Sequence, residues 1–369
     1  MHLTPCVALL LLMPFAAAAE DIRFVNHDGF LSVGTGTERT ASITLVDMDG
    51  DGDLDALVAN GRHWAEQNYL YLNDGHGAFK SGRPVGEWMD ASYAMAAADF
   101  NGDGRMDIAV ANDKVQNRLL FGNASGGFDA AGDFGDPALA SRSVAAVDID
   151  ADGDVDLVVA NRFGPNEIAL NDGTGRFDRV TRFGDAKGPT IQVHVADIDG
   201  DGWLDLATAE RGAPGRVHLN DGHGGFDAGL SYGEADDDTR AVASGDMDGD
   251  GRLDLVTGSL RTGSTIHYGD GRGGFTRRRV LSTAHATASV AVADFNGDGR
   301  LDVVEGNSEQ ANVVFLSQAD GRYREMALRP ELAEDTYHVS CGDLDGDGRP
   351  DIVEANSGET NLYHLVRAD

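Results

Sequence analysis

A nine-residue acidic pattern constrains this chain more than anything else in it. It opens as Asp47-Met-Asp-Gly-Asp-Gly-Asp-Leu-Asp55 and recurs from Asp99, Asp148, Asp197, Asp246, Asp294 and Asp343. The openings are 52, 49, 49, 49, 48 and 49 residues apart. So regular a period marks an array of one structural unit, not a set of independent domains.

Each unit follows the same plan. A short apolar run such as Ser143–Val147 enters the acidic loop, and a second, Leu157–Ala160, leaves it. An Asn-bounded turn, a third run (Glu167–Leu170) and an Asn171-Asp172-Gly173 turn lead to a Gly-x-Phe segment expected to form the fourth strand. Four short strands in about 49 residues make one propeller blade, and no segment carries a helical period. The expected fold is all-β: a seven-bladed propeller of four-stranded antiparallel blades. The seventh unit stops after Asn361–Leu365, without its final turn and Phe segment, whereas Asn26-His27-Asp28-Gly29-Phe30 precedes the first loop. Phe30 and its neighbours are therefore expected to supply the outer strand of the last blade. That exchange would close the ring and leave no unpaired end, and a monomer is expected.

The loop chemistry is that of a hard cation. Oxygen side chains stand at positions 1, 3, 5 and 9, a glycine at 6 permits the sharp bend, and position 7 offers a backbone carbonyl. The candidate ligands are Asp47, Asp49, Asp51 and Asp55; Asp99, Asn101, Asp103 and Asp107; Asp148, Asp150, Asp152 and Asp156; and Asp197, Asp199, Asp201 and Asp205. The last three loops add Asp246, Asp248, Asp250 and Asp254; Asp294, Asn296, Asp298 and Asp302; and Asp343, Asp345, Asp347 and Asp351. All-oxygen sets without His or Cys suit Ca²⁺ at about 2.3 to 2.6 Å and argue against zinc. Up to seven Ca²⁺ are expected, with weaker binding where Asn101 and Asn296 replace a carboxylate. The first half is EF-hand-like, but the loop closes on Asp at position 9 between strands instead of Glu at 12 between helices.

Charge supports that reading. The chain has 62 Asp and Glu against 29 Lys and Arg, a net charge of −33. Of the acids, 26 are loop ligands, and the remaining 36 leave only −7 against the bases. The excess is ligand. It disfavours nucleic acid, whose phosphates need a basic face. Without metal, like charges about 4 Å apart repel by on the order of 4 kcal/mol at an effective dielectric near 20. With sites in the 10⁻⁴ to 10⁻³ M range, a tenfold excess of Ca²⁺ adds about 1.4 kcal/mol per site, comparable over seven sites with a whole domain's stability.

The beginning of the chain reads as an export signal. Val7 to Ala19 is apolar and ends in Ala17-Ala18-Ala19 before Glu20, matching a hydrophobic region and small-residue cleavage site. It is too short to span a bilayer. The expected organisation is a signal peptide at 1–19, a propeller at 20–369, and a secreted or periplasmic product. Cleavage would remove Cys6 and leave Cys341 without a partner, so calcium would take the place of disulfides.

The Asp-x-Asp-x-Asp-Gly-x-x-Asp loop, as in Asp343-Leu-Asp-Gly-Asp-Gly-Arg-Pro-Asp351, resembles the FG-GAP or VCBS-type repeat of integrin α-subunit propellers and bacterial secreted proteins. The resemblance extends over residues 22–369. It implies seven blades with calcium loops on one face. Relatives include adhesion modules, lectins and some polysaccharide lyases, so it leaves activity open.

A ligand is expected on the opposite face, where the repeats differ. Seven residues before each first Asp stands Thr or Ser: Thr40, Ser92, Ser141, Thr190, Thr239, Thr287 and Thr336. These read as structural. The following residues diverge into Ala41, Tyr93, Arg142, Ile191, Arg240, Ala288 and Tyr337, and variation on a fixed scaffold is where specificity resides. The turns between second and third strands add Arg62, His63, Trp64, Lys114, Arg162, Phe163, Arg211 and Arg261, with Trp88 expected nearby. The candidate ligand residues are Arg62, Trp64, Tyr93, Arg142, Arg162, Arg211, Arg240, Arg261, Tyr337 and His338, since guanidinium forks and rings suit carboxylates and sugars. Two functions fit: a binding or adhesion module for a glycan or protein, or a polysaccharide lyase or hydrolase on an anionic glycan. For the latter, Tyr93, Tyr337 and His338 are the acid and base candidates. Neither a Ser-His-Asp spacing nor a phosphate-binding loop is present; Gly271–Gly274 is a turn.

Overall fold

The structure, a computed structural model, describes residues 21–369; the expected signal segment 1–19 lies outside the described residues. Seven four-stranded sheets follow one another along the chain. Blade 1 comprises Thr40–Val46, Asp55–Asn60, Glu66–Tyr71 and Arg83–Asp90. Blades 2 to 6 begin at Ser92, Ala140, Thr190, Thr239 and Thr287. Blade 7 takes three strands from Thr336–Gly342, Asp351–Asn356 and Leu362–Ala368, and its fourth from Ile22–Val25. Within each blade neighbouring strands pair antiparallel, and the first strands pack against one another around the axis.

The amino terminus does close the ring, but with a different segment from the one expected. Ile22–Val25 pairs with Leu365–Ala368. Phe30 lies beyond it, after a 3-10 turn at His27–Gly29, and is 83% exposed. The turn puts His27 and Gly29 at φ 51° and 89°, conformations that break a strand. Ile22 is buried and Phe24 packs edge-on to Phe295 of blade 6, so apolar burial selects the closing strand. The Gly-x-Phe segments require a second correction. In blade 3 the outer strand is Arg179–Phe183, and Phe177 precedes it. Phe177 is buried against Phe100 of blade 2, with ring centroids 5.7 Å apart. This Phe is an inter-blade plug. In blade 2 alone of these does Phe128 begin the strand Phe128–Phe134.

Core packing is between blades. One apolar cluster joins Phe100, Ala109 and Leu119 of blade 2 to Val144, Leu157 and Phe177 of blade 3, and another joins blade 7 to blade 1. The Thr/Ser positions add a polar layer. Thr40, Ser92, Ser141, Thr287 and Thr336 each donate to an Asn at the end of their own second strand, over 2.7–3.0 Å. Thr40, Ser92, Ser141, Thr190 and Thr336 each accept from an Asn on, or immediately before, the third strand of the preceding blade, over 2.8–3.2 Å. These buried hydroxyls bridge neighbouring blades, and removing one leaves Asn groups unsatisfied.

Candidate functional site

Each acidic loop connects the first and second strands of its blade, so the seven lie on one face. The Asp at position 9 is the anchor. In all seven loops one of its oxygens accepts the backbone N–H of position 2 at 2.9–3.1 Å. The other accepts a backbone N–H from the last part of the third strand or just beyond it, at 2.7–2.8 Å. The position 2 side chains (Met48, Phe100, Ile149, Ile198, Met247, Phe295, Leu344) are buried. Their carbonyls reach the next blade: Asn73, Asn171 and Asn220 donate to Leu344, Phe100 and Ile149. Three of the loops are thereby tied to an inter-blade junction. The carboxylate of position 1 accepts the N–H of the glycine at position 6 at 2.7–3.0 Å in every loop, and that glycine has positive φ, as at Gly52 (95°).

What remains is a nest of carboxylate oxygens. In five loops three acids bring ligand atoms within 4.8 Å of one another: Asp47, Asp49 and Asp55; Asp148, Asp150 and Asp156; Asp197, Asp199 and Asp205; Asp246, Asp248 and Asp250; Asp343, Asp345 and Asp347. Oxygens on opposite sides of an ion bound at about 2.3 to 2.6 Å stand about 4.6 to 5.2 Å apart, so the nests have the right size. Asp150 Oδ1 and Asp345 Oδ1 are buried with no hydrogen-bond partner, and a buried carboxylate oxygen without a partner calls for a cation. Burial and neighbouring acids push Asp156 and Asp254 up to about 6, and Asp302 and Asp351 up to about 7. These triads could hold metal ions. Arginines also enter the nests: Arg277 pairs with Asp248 and Arg367 with Asp345. In the two Asn-containing loops, Arg105 pairs with Asp103 and Arg300 with Asp298. There an internal cation already balances part of the charge.

At the opposite end of the first strands is a cavity of about 340 Å³ to which all seven blades contribute. Its construction rests on a β-bulge repeated seven times. The register of every first strand skips one residue: Ala41, Tyr93, Arg142, Ile191, Arg240, Ala288 and Tyr337. A bulged residue is released from the pleat and its side chain re-aimed, and all seven line the cavity. The divergent positions of the sequence are the bulges.

Eight of the ten candidate ligand residues meet there: Arg62, Tyr93, Arg142, Arg162, Arg211, Arg240, Tyr337 and His338. Arg261 lines an adjoining groove of about 300 Å³, which shares Arg162 and Arg211 with the cavity. Trp64 lies outside both linings, 54% exposed beneath the Arg39 guanidinium. Trp88 is on the outer strand of blade 1, stacked with Arg118. Neither tryptophan is drawn in, because each pairs with an arginine of its own neighbourhood.

The cavity's charges are largely organised by acids that sequence reasoning passed over. Arg142 donates to Asp113 at 2.9 Å and stacks on Tyr93, 3.9 Å from its centroid. Arg62 stacks on Tyr337 at 3.4 Å and lies 3.9 Å from Asp335. Arg240 and Arg211 share Asp238, at 2.7 and 3.5 Å. Asp238 and Asp335 stand immediately before Thr239 and Thr336, and that shared offset was the available signal. His63 bonds Asp113 at 2.6 Å and Tyr93 Oη at 3.0 Å, a Tyr–His–Asp chain at the cavity wall. Burial would raise Asp113, but His63 and Arg142 outweigh it and hold the carboxyl below its ordinary value. Burial raises Tyr93, and loss of hydration lowers His338 to about 4.

Seven four-stranded blades, acid nests that could hold metal on one face and a cavity lined by all seven blades on the other define a repeat β-propeller. The FG-GAP-like repeat family matches residues 47–110, 99–159, 148–208, 197–257 and 261–305, more than half of the chain, and the protein belongs to that family. No curated protein sequence matches it. Among solved structures, BBS1N in complex with ARL6DN is similar at a TM-score of 0.61 and 12% identity, over 94% of this chain and 98% of that one. Raptor of Chaetomium thermophilum is similar at a TM-score of 0.60 and 12% identity, over 95% of this chain but 29% of that one. At such identity the likeness shows the fold alone.

Proposed function

We propose that this is an exported, calcium-loaded propeller that captures a glycan or protein partner at the channel mouth. The observation that carries this reading is the seven-bulge cavity: a chain of net charge −33 places five arginines in one recess. Export rests on the apolar run 7–19; among the described residues no helix is long and apolar enough to cross a membrane. Calcium is favoured over other metals by the all-oxygen donor sets. Bound there, it would neutralise each nest, while the position 9 carboxylate, itself a member of three of them, also knits the strands. The metal acts in this reading on stability, and the mouth on recognition.

Glycan-array and pull-down binding by the calcium-loaded protein tests it, with Ala288→Trp as the variant that fills the mouth. Binding without turnover that this variant abolishes supports capture; binding indifferent to it speaks against the mouth. The Tyr93–His63–Asp113 chain favours one second reading, a polysaccharide lyase in which Tyr93 and His63 move the proton and arginine neutralises a sugar carboxylate. Release of unsaturated sugars, lost in Tyr93→Phe, would establish that activity, and so would loss in Tyr337→Phe or His338→Ala for the other two candidates.

A further inference from the structure

Charge accounting at the mouth separates the arginines into two kinds. Arg62 and Arg142 are pinned: each stacks on a tyrosine and has an aspartate, and Arg142 is almost fully buried. Arg240 holds Asp238 through two hydrogen bonds. Their roles are met within the protein. Arg162 has no carboxylate partner among the described residues, and its Nε is buried without a hydrogen bond. Its guanidinium is propped on Phe163, 4.4 Å from the ring centroid. Arg211 has only a share of Asp238, at 3.5 Å. Five arginines line the cavity and three aspartates pair with them, leaving two positive charges unmatched. Arg162 is held below its ordinary basicity by burial and by the charges of Arg211, Arg142 and Arg240, as expected of a cation waiting for an anion.

Arg162 and Arg211 are also the residues common to the cavity and the adjoining groove. An extended ligand passing from one to the other must cross between them. Resting on the proposed capture at the mouth, we propose that Arg162 and Arg211 select an acidic glycan segment, taking two carboxylates on neighbouring sugar units, one from the cavity side and one from the groove side. A recess of about 340 Å³ admits a sugar unit or two and excludes a folded surface. One face of each mouth tyrosine is already covered by arginine, so charge leads ring stacking in setting the preference.

The test is calorimetric titration of the calcium-loaded chain with oligogalacturonate and oligoglucuronate, with their methyl esters as uncharged counterparts and inorganic phosphate as a compact dianion. The expected result is binding of an acid form and not its ester. Arg162→Gln and Arg211→Gln should each weaken it tenfold to a hundredfold, as loss of a charge-assisted bond implies. Arg278→Gln on the outer strand of blade 5 should change nothing. Calcium-dependent melting of each variant confirms that it folds. Equal binding of acid and ester, indifference to both substitutions, or no binding by any acid overturns the assignment. So does phosphate binding alone with the same arginine dependence, which would mark a compact headgroup site. A neutral glycan or a protein that binds wild type but not Ala288→Trp would also overturn it, while leaving capture at the mouth intact; a ligand unaffected by Ala288→Trp would remove both.

Discussion

At the residue scale, the acids of one loop do opposite jobs. Asp156 is fully buried and accepts two backbone N–H bonds, whereas Asp150 has an oxygen with no partner at all. Asp156→Ala is therefore expected to cost about 2 to 4 kcal/mol even in chelator, through two lost bonds to a charged group, and more in calcium, since Asp156 is also one of the three acids of its nest. Asp150→Asn should destabilise only in calcium, and be neutral or stabilising in chelator, where it removes a repulsive charge. Urea unfolding of both variants in each condition checks the contrast. The sequence placed both acids in the loop but could not divide them, because the division depends on which oxygen the third strand reaches.

Histidines set a pH dependence of their own. Burial lowers His194, His267 and His338 to about 4, so between about 6.5 and 4 the unfolded chain binds protons that the native state does not. Stability should fall as pH drops through that window, even in saturating calcium. His194 bonds Ser244 across two blades at 2.8 Å, and His194→Gln can keep that bond without titrating. Its melting temperature should fall less between pH 7 and 4.5 than that of wild type; an identical fall would remove His194 from the explanation.

At the element scale, the first strand of each blade separates architecture from specificity over two adjacent residues. Thr336 is fully buried and bridges Asn312 and Asn356, while Tyr337 is the bulged residue beside it. Thr336→Val should cost about 1 to 3 kcal/mol by leaving Asn groups unpaired, but Ile191→Ser, at a bulge, should change stability by less than about 1 kcal/mol. Denaturant midpoints measure both. Repeat comparison exposed the Thr/Ser column and its variable neighbour, because period and alternation are local properties. The bulge itself was not legible, since it is a register relation with the second strand. The same limit explains Phe30: Asn26–Phe30 copies an internal turn motif, but Ile22 and Phe24 find the apolar partners, and burial outweighs likeness of motif. Trp64 and Trp88 were placed with the ligand rim on residue type, and their arginine partners hold them elsewhere.

At the scale of the whole molecule, blade number, ring closure and the two-faced arrangement were readable from the repeat, and the cavity's charge balance was not. That balance depends on Asp113, Asp238 and Asp335 folding back onto arginines from other repeats. Cys341 is the free cysteine among the described residues, with burial pushing its thiol up to about 12, so no disulfide holds residues 21–369. The junctions are held by apolar plugs and Asn bridges. A cation in the acid loops would act on the blade junctions they reach, so its effect is expected to be cooperative.

The most direct test is the unfolding free energy measured against free calcium concentration. By linkage, its slope against ln[Ca²⁺] counts the ions released on unfolding in units of RT. The expected slope corresponds to between five ions, one for each three-acid nest, and seven, one for each loop, with a steep loss of stability in chelator. A flat line, with the same unfolding curve in chelator and in millimolar calcium, would contradict the claim that metal in the acid loops holds the ring closed.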